Sequence, residues 1–222
     1  PAATPRLHLP RHNSGPMATA RKFCQFPGRF GMLRGGHLDR PVIAYETWGE
    51  LNTARDNAIL IFTGMSPSAH ATSSPEDPSP GWWEEVVGPS RPIDTRRFFV
   101  ICINSLGSCF GSTGPASPDP ATGRPFAMSF PVLSLEDVAE AGRAVVEHLG
   151  IVRLHTLGGP AMGGMTALAF AIQSPLMVRN LVLLSTAARS LPFSIAMRSL
   201  QREMIRRDPD WRNGSYAPGA GP

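Results

Sequence analysis

The chain has 222 residues, 42% of them hydrophobic, which is enough for one domain with a sizeable core and too apolar for a disordered protein. Arg and Lys outnumber Asp and Glu by 21 to 17, Lys22 is the only lysine, and no basic cluster alternates with aromatics, so no nucleic-acid partner is expected. The cysteines Cys24, Cys102 and Cys109 show no Cys-x-x-Cys spacing, and the apolar runs fall far short of the roughly 20 residues of a membrane span. A reduced, cytoplasmic protein with no metal site and no membrane contact is therefore expected.

Residues 1–28 open with four prolines before residue 17 and hold no acidic side chain. Those prolines disfavour a targeting helix, so 1–28 reads as a disordered or weakly ordered extension, with 29–222 as the folded part. Pro41 to Trp48 alternates loosely and reads as a strand ended by Gly49. Ala58 to Phe62 is a continuous apolar run, the pattern of a parallel strand buried on both faces. Thr63-Gly64-Met65 ends it, and a Ser/Pro-rich stretch from Ser66 to Gly81 is long enough to be a functional loop. Phe98 to Ile103 is the next buried strand and leads into the glycine-rich loop Asn104 to Pro115.

Ser134, with Asp137 three residues on, caps a helix from Leu135 to Leu149 that Gly150 stops. Strand 152–157, a helix over 165–173, strand 181–184 and a helix over 192–207 follow, the last broken by Asp208-Pro209. Strand alternating with helix implies an α/β fold, a mostly parallel sheet with helices on both faces.

Between strand 152–157 and its helix stands Gly158-Gly159-Pro160-Ala161-Met162-Gly163-Gly164. A strand, a tight turn with small residues two before and two after a central position, then a helix is the setting of the nucleophile elbow G-x-S-x-G. A glycine-rich turn of an unrelated parallel α/β protein is the plainer alternative, and the ordered elements around it argue against that. Here the central residue is Ala161, whose methyl group cannot attack a carbonyl, so the chain as written is expected to be inactive. Ala161 reads as a substituted serine position, either introduced or natural.

In that arrangement an acid and then a histidine follow the nucleophile in chain order. All six histidines precede Ala161, and the acids beyond it are only Glu203, Asp208 and Asp210. General base and orienting carboxylate are both missing, and the chain reads as the front part of a longer enzyme. Its oxyanion hole is expected at two backbone amides, those of Met162 and of Met65 after Gly64. His70 lies upstream of the elbow, so a structural or substrate-contacting role is expected for it, and His155 reads as a core residue. Neither Ser108 nor Cys109 has an identifiable base and neither reads as a nucleophile.

Tyr45-Glu46-Thr47-Trp48-Gly49, Thr63-Gly64 with Ala69-His70-Ala71, Gly81-Trp82-Trp83-Glu84, Asn104-Ser105-Leu106-Gly107, Gly111-Ser112-Thr113-Gly114-Pro115 and Gly163-Gly164-Met165 together resemble the homoserine O-acetyltransferase family of α/β-hydrolase-fold acyltransferases, from about residue 29 onward. Ser66-Pro67-Ser68-Ala69-His70, and Leu191 to Arg198 with Gln201-Arg202, are more similar to its serine O-succinyltransferase branch. The resemblance implies an α/β-hydrolase fold that in this chain lacks the C-terminal strands and lid. It also implies a ping-pong reaction in which a serine takes the acyl group of succinyl-CoA or acetyl-CoA and passes it to the hydroxyl of L-serine or L-homoserine, in cysteine or methionine synthesis.

Acyl-CoA is then a co-substrate, no resident cofactor or metal is implied, and a homodimer is. Substrate binding would fall to Gly64, Ser66, Pro67, Ser68, Ala69 and Arg198, the last lining the tunnel. Two other readings stay open: a natural pseudoenzyme acting as a binding module, and an esterase-like hydrolase of the same fold. The last strand would leave an apolar sheet edge, so these 222 residues alone are not expected to be a well-folded monomer unless another segment completes the sheet.

Overall fold

The computed structural model describes residues 20–217 and 219–222. Ten strands are formed among them: β1 (Lys22–Gln25), β2 (Arg29–Gly31), β3 (His37–Asp39), β4 (Val42–Trp48), β5 (Ala58–Phe62), β6 (Val87–Gly88), β7 (Ile93–Asp94), β8 (Phe99–Ile103), β9 (Leu154–Pro160) and β10 (Val178–Leu184). The α-helices are α1 (Leu135–His148), α2 (Met162–Gln173) and α3 (Pro192–Arg207). Six strands make the main sheet in the order β1-β4-β8-β5-β9-β10. The four from β8 to β10 run parallel, while β4 and β1 are antiparallel to their neighbours.

Within the segment 1–28 expected to be weakly ordered, the described part forms a strand. Residues 1–19 lie outside the described residues, but Lys22–Gln25 is an ordered edge strand whose Cys24 pairs with Ile43 and is buried. Its four residues carry too short a pattern to be read alone; pairing with β4 makes the strand. β2 and β3 form an antiparallel hairpin just after it.

The continuous apolar runs of β5 and β8 are explained by a sheet buried on both sides. Leu60, Phe62, Ile101 and Ile103 face one way, against Val145 and Val146 of α1 and Ala167 and Phe170 of α2. Ile59, Ile61, Val100 and Cys102 face the other way, against Trp48, Ala71, Val87 and the stacked rings of Trp82 and Trp83. Each such side chain contributes roughly 1.5–3 kcal/mol on burial.

The two packed helices thus share one face, and what covers the second is the segment from Ala71 to Phe98 rather than a helix. Glu84 ties that segment together. It accepts from the Ser73 hydroxyl (2.5 Å) and from the amides of Ser73 (2.9 Å) and Gly81 (2.9 Å), and those bonds, the Ser73 hydroxyl first, hold its carboxyl down at about 2.

Ser134 and Asp137 form the expected capping box, with the Ser134 amide donating to Asp137 Oδ2 (2.8 Å) and the Asp137 amide to Ser134 Oγ (3.2 Å). β9 runs on through Gly158 and Gly159 to Pro160, beyond the expected end at 157, because Val182 to Leu184 of β10 pair with those residues. The last strand and helix are bare. Leu181 to Leu184 remain between 38% and 44% exposed, α3 has no buried residue, and an apolar groove of about 330 Å³ opens between Ile61, Trp83, Phe98 and Val182.

Candidate active site

Ala161 joins β9 to α2 with φ 50° and ψ −117°, a conformation costing on the order of 1–3 kcal/mol for a residue with a side chain. The surroundings over-determine it. Its amide donates to Leu184 O (2.9 Å), and its carbonyl accepts from Gly164 N (3.1 Å), Met165 N (3.3 Å) and Thr186 Oγ1 (2.7 Å). The flanking glycines are required by contact: a Cβ on Gly159 would lie 2.5 Å from the Phe62 carbonyl oxygen, and one on Gly163 only 2.2 Å from it. The turn is therefore pressed against the end of β5, and Ala161 is left exposed above the sheet.

Ala161 opens into a cavity of about 600 Å³ lined also by Met65, Met162, Thr186, Arg189, Arg198 and Arg202. Met65 follows the end of β5 and Met162 is the first residue of α2, where helical geometry leaves an amide without an intrahelical acceptor. Among the described residues neither of these two amides donates to a backbone acceptor, and α2 adds its dipole at the same place. Arg198 donates to Gln201 Oε1 (2.9 Å) and Arg202 to Ser199 Oγ (2.9 Å). Neither they nor Arg189 meet a carboxylate among the described residues, and no acid lines the cavity. The result is an elbow residue, two free amides and three unneutralised guanidinium groups around one space.

Of the other residues expected to bind substrate, Gly64 is buried beside Pro160, 3.8 Å from the Pro160 carbonyl oxygen as measured from where a Cβ would stand. Ser66 is exposed, and Pro67 closes over Gly64. The Ser68 carbonyl accepts from Trp82 Nε1 (2.8 Å), its hydroxyl from the His70 amide (3.2 Å), and the fully buried Ala69 gives its amide to Asn104 Oδ1 (2.6 Å). None of these five lines the cavity, whereas Arg198 does.

His70 is not at the cavity. Its Nδ1 meets Glu46 Oε2 at 2.8 Å and its Nε2 the Ser79 carbonyl at 2.8 Å, which makes it structural. The Glu46 bond outweighs burial and raises its pKa to about 9. His155, expected in the core, is only half-buried: it bonds Thr156 Oγ1 (2.9 Å) and packs on Phe98, on the open side of β9. Burial pushes the thiols of Cys102 and Cys24 upward, away from thiolate chemistry. Among the described residues no group of three His, Cys, Asp or Glu could hold a metal ion, and no helix is long and apolar enough to cross a membrane.

Sequence reasoning missed Thr186 and Arg189. They reach the cavity because β10 pairs with β9 and brings Ser185 to Ser190 beside the elbow, a long-range effect without a local signal.

The profile of the α/β hydrolase fold matches residues 57–222. The chain is 58% identical over 206 residues to a serine O-succinyltransferase of Litchfieldella anticariensis, covering 93% of this chain and 56% of that protein. It is 57% identical over 203 residues to an L-serine/homoserine O-acetyltransferase of Streptomyces lavendulae, covering 91% and 54%. Among solved structures, a homoserine O-acetyltransferase from Bacillus anthracis superposes with a TM-score of 0.82 at 33% identity, over 89% of this chain and 55% of that one. Esterase E22 does so with a TM-score of 0.82 at 32% identity, over 90% and 56%. The chain spans about half the length of the curated relatives it matches. With its elbow, its sheet order and this match over residues 57–222, the chain belongs to the α/β-hydrolase-fold family, and its curated relatives there are named as O-acyltransferases.

Proposed function

We propose that the complete protein containing this chain is built to move an acyl group from acyl-CoA to the side-chain hydroxyl of L-serine or L-homoserine, and that Ala161 makes the present form inactive. The observation that carries this reading is the strained elbow residue opening onto a cavity with three arginines and no acid. A serine at 161 would attack the thioester carbonyl while the amides of Met65 and Met162 take up the oxyanion. The C–S bond then breaks, CoA departs as the thiol, and the acceptor hydroxyl attacks the acyl-serine to give the O-acyl amino acid and the free serine. No histidine lines the cavity, so the proton-carrying base of both half-reactions is not among its lining residues.

The guanidinium groups suit anions, either the free carboxylate of a succinyl donor or the phosphates of CoA. On this reading Gly64 and Ser66 to Ala69 shape the acyl site from beneath, Arg198 lines it, and acyl-CoA is a co-substrate with no resident cofactor or metal. A cytoplasmic homodimer serving cysteine or methionine synthesis completes the proposal. Two observations favour other readings: Ala161 itself suits a non-catalytic binding module, and the likeness to esterase E22 suits a hydrolase.

One experiment separates them. CoA release from acetyl-CoA and succinyl-CoA is followed with L-serine, L-homoserine or no acceptor, using the complete gene product and its Ala161→Ser variant. Release by the variant alone, dependent on one acceptor and on the order of 10⁶-fold above the parent, supports the transferase. Release without an acceptor supports the hydrolase, and a folded variant that binds CoA without releasing any thiol supports the binding module.

A further inference from the structure

His70 sits five residues beyond Met65, on the loop that carries one of the two oxyanion amides. That loop is fixed from three sides. Trp82 holds the Ser68 carbonyl, Asn104 holds the Ala69 amide, and the Glu46 carboxylate, from β4 two strands away from β5, holds the imidazole. The last contact is the most consequential of the three because Glu46 is 1% exposed and its Oε1 has no hydrogen-bond partner among the described residues. The bond from His70 is thus the only one its carboxylate receives there. A buried carboxylate that loses its partner is strongly destabilised.

Geometry also fixes the charge on the ring. Nδ1 faces a carboxylate oxygen. Nε2 faces the Ser79 carbonyl at 2.8 Å and, at 3.3 Å, the oxygen of a Ser79 hydroxyl that donates its own hydrogen to Asp77 Oδ1 at 2.6 Å. Both nitrogens meet acceptors, so both carry hydrogen, and the ring is an imidazolium. The other charges around it are Asp77, 3.8 Å from Nδ1, and Arg21, which acts on Asp77; on the adjacent strand β8, Cys102 pairs with Glu46 and has its thiol pushed up by burial.

We propose that His70, held as an imidazolium between Glu46 and Ser79, is the positioning residue of the oxyanion loop, setting the Met65 amide against the elbow at Ala161. His70 touches no substrate; it acts through the loop. This role rests on the acyl-transfer reading for its kinetic consequence, but the clamp itself does not. Its folded-state pKa of about 9 lies above the ordinary 6.5, so the clamp's contribution is complete below about pH 6.5 and is lost as pH rises through about 9.

The test uses the complete gene product. First, the imidazole signals of the protein with Ala161 in place are followed by heteronuclear NMR from pH 6 to 10. A doubly protonated His70 at pH 7.5 with a midpoint near 9 is expected, and a midpoint near 6.5 overturns the proposal. Second, amide exchange across residues 65–71, corrected for intrinsic rates, is compared in the parent, His70→Gln and Glu46→Gln. About tenfold faster exchange in His70→Gln at pH 7, with α1 unchanged, and the same acceleration in the parent above pH 9 are expected; unchanged loop protection in His70→Gln overturns it.

Third, in the Ala161→Ser background, His70→Gln should lower kcat on the order of a hundredfold with acyl-CoA KM within about twofold, as a misplaced oxyanion donor requires. Equal kcat in the two overturns the positioning role. If the Ala161→Ser protein transfers no acyl group at all, the acyltransferase reading fails, while the titration and exchange still decide the clamp. Should His70→Gln not fold, the parent titration and Glu46→Gln, which keeps shape and bonding while removing the charge, carry the decision.

Discussion

The cavity beside Ala161 has two walls held in opposite ways. The wall that follows β5 is tied down along its length: Ser68 to Trp82, Ala69 to Asn104, His70 to Glu46, with Ala69 and Ala71 fully buried. Among the described residues, the wall that follows β10 is tied to the elbow by one hydrogen bond, at Thr186, and it continues into α3, where Leu191 is 60%, Phe193 77% and Met204 67% exposed. On the acyl-transfer reading the first wall supplies the Met65 amide, which must stand within tenths of an ångström of a developing charge, and rigid packing is how a fold provides that. The second supplies long cationic side chains, which reach an anion from several backbone positions and tolerate a loosely held support. On that reading, chemistry and recognition are carried by regions held with different firmness.

The sharpest way to break this comparison is at the elbow. Gly163→Ala would drive a methyl into the carbonyl oxygens of Phe62 (2.2 Å) and Thr63 (2.6 Å), backbone atoms that cannot swing aside, and a loss of about 3 kcal/mol is expected in urea unfolding of the complete gene product. A loss below about 1 kcal/mol would show that the turn is not pressed against β5.

Next in size is Glu84→Ala on the covered face, which leaves the Ser73 and Gly81 donors without their acceptor and should cost about 1–2 kcal/mol. Because the Glu84 carboxyl is lowered from 4.5 to about 2, its contribution is present above pH 4.5 and lost as pH falls toward 2. The parent and variant should therefore converge in stability across that window, and parallel curves would assign the loop's order to something else.

The apolar edge gives a third test. Residues 1–222 alone should self-associate in sedimentation, and replacing Val182 and Leu183 on β10 by lysine should reduce that association severalfold. A monodisperse monomer with a cooperative melt would contradict the reading of β10 as an edge awaiting a neighbour.

The firmly packed regions are also the ones the sequence discloses best. β5 is legible because five consecutive apolar residues can be satisfied only between two covered faces, and the start of α1 because Ser134 and Asp137 cap within one turn. The elbow is legible because close contact with β5 admits only small residues at 159 and 163. What escapes is set by pairing over distance. β1 exists through β4, the last three residues of β9 are strand because β10 lies beside them, and Glu46 reaches His70 across 24 positions with no periodicity to announce it. The covering of the second face by a loop is illegible for the same reason: Trp82 and Trp83 look like loop residues until the sheet beneath them is in place.

The smallest stability effects should fall on α3, and there function and stability should separate. Arg198→Ala and Leu200→Ala both alter exposed positions, Leu200 being 56% exposed, so each should change unfolding free energy by no more than about 0.5 kcal/mol. In the Ala161→Ser background, however, Arg198→Ala removes a cation from the cavity wall and should raise KM for succinyl-CoA about tenfold, equivalent to about 1.4 kcal/mol. An equal rise for acetyl-CoA would place the Arg198 contact on the CoA phosphates, and a rise confined to succinyl-CoA would place it on the acyl carboxylate. If Leu200→Ala instead costs more than about 1 kcal/mol, α3 is packed in solution against a surface that the described residues do not supply, and the two walls are less different than their exposure implies.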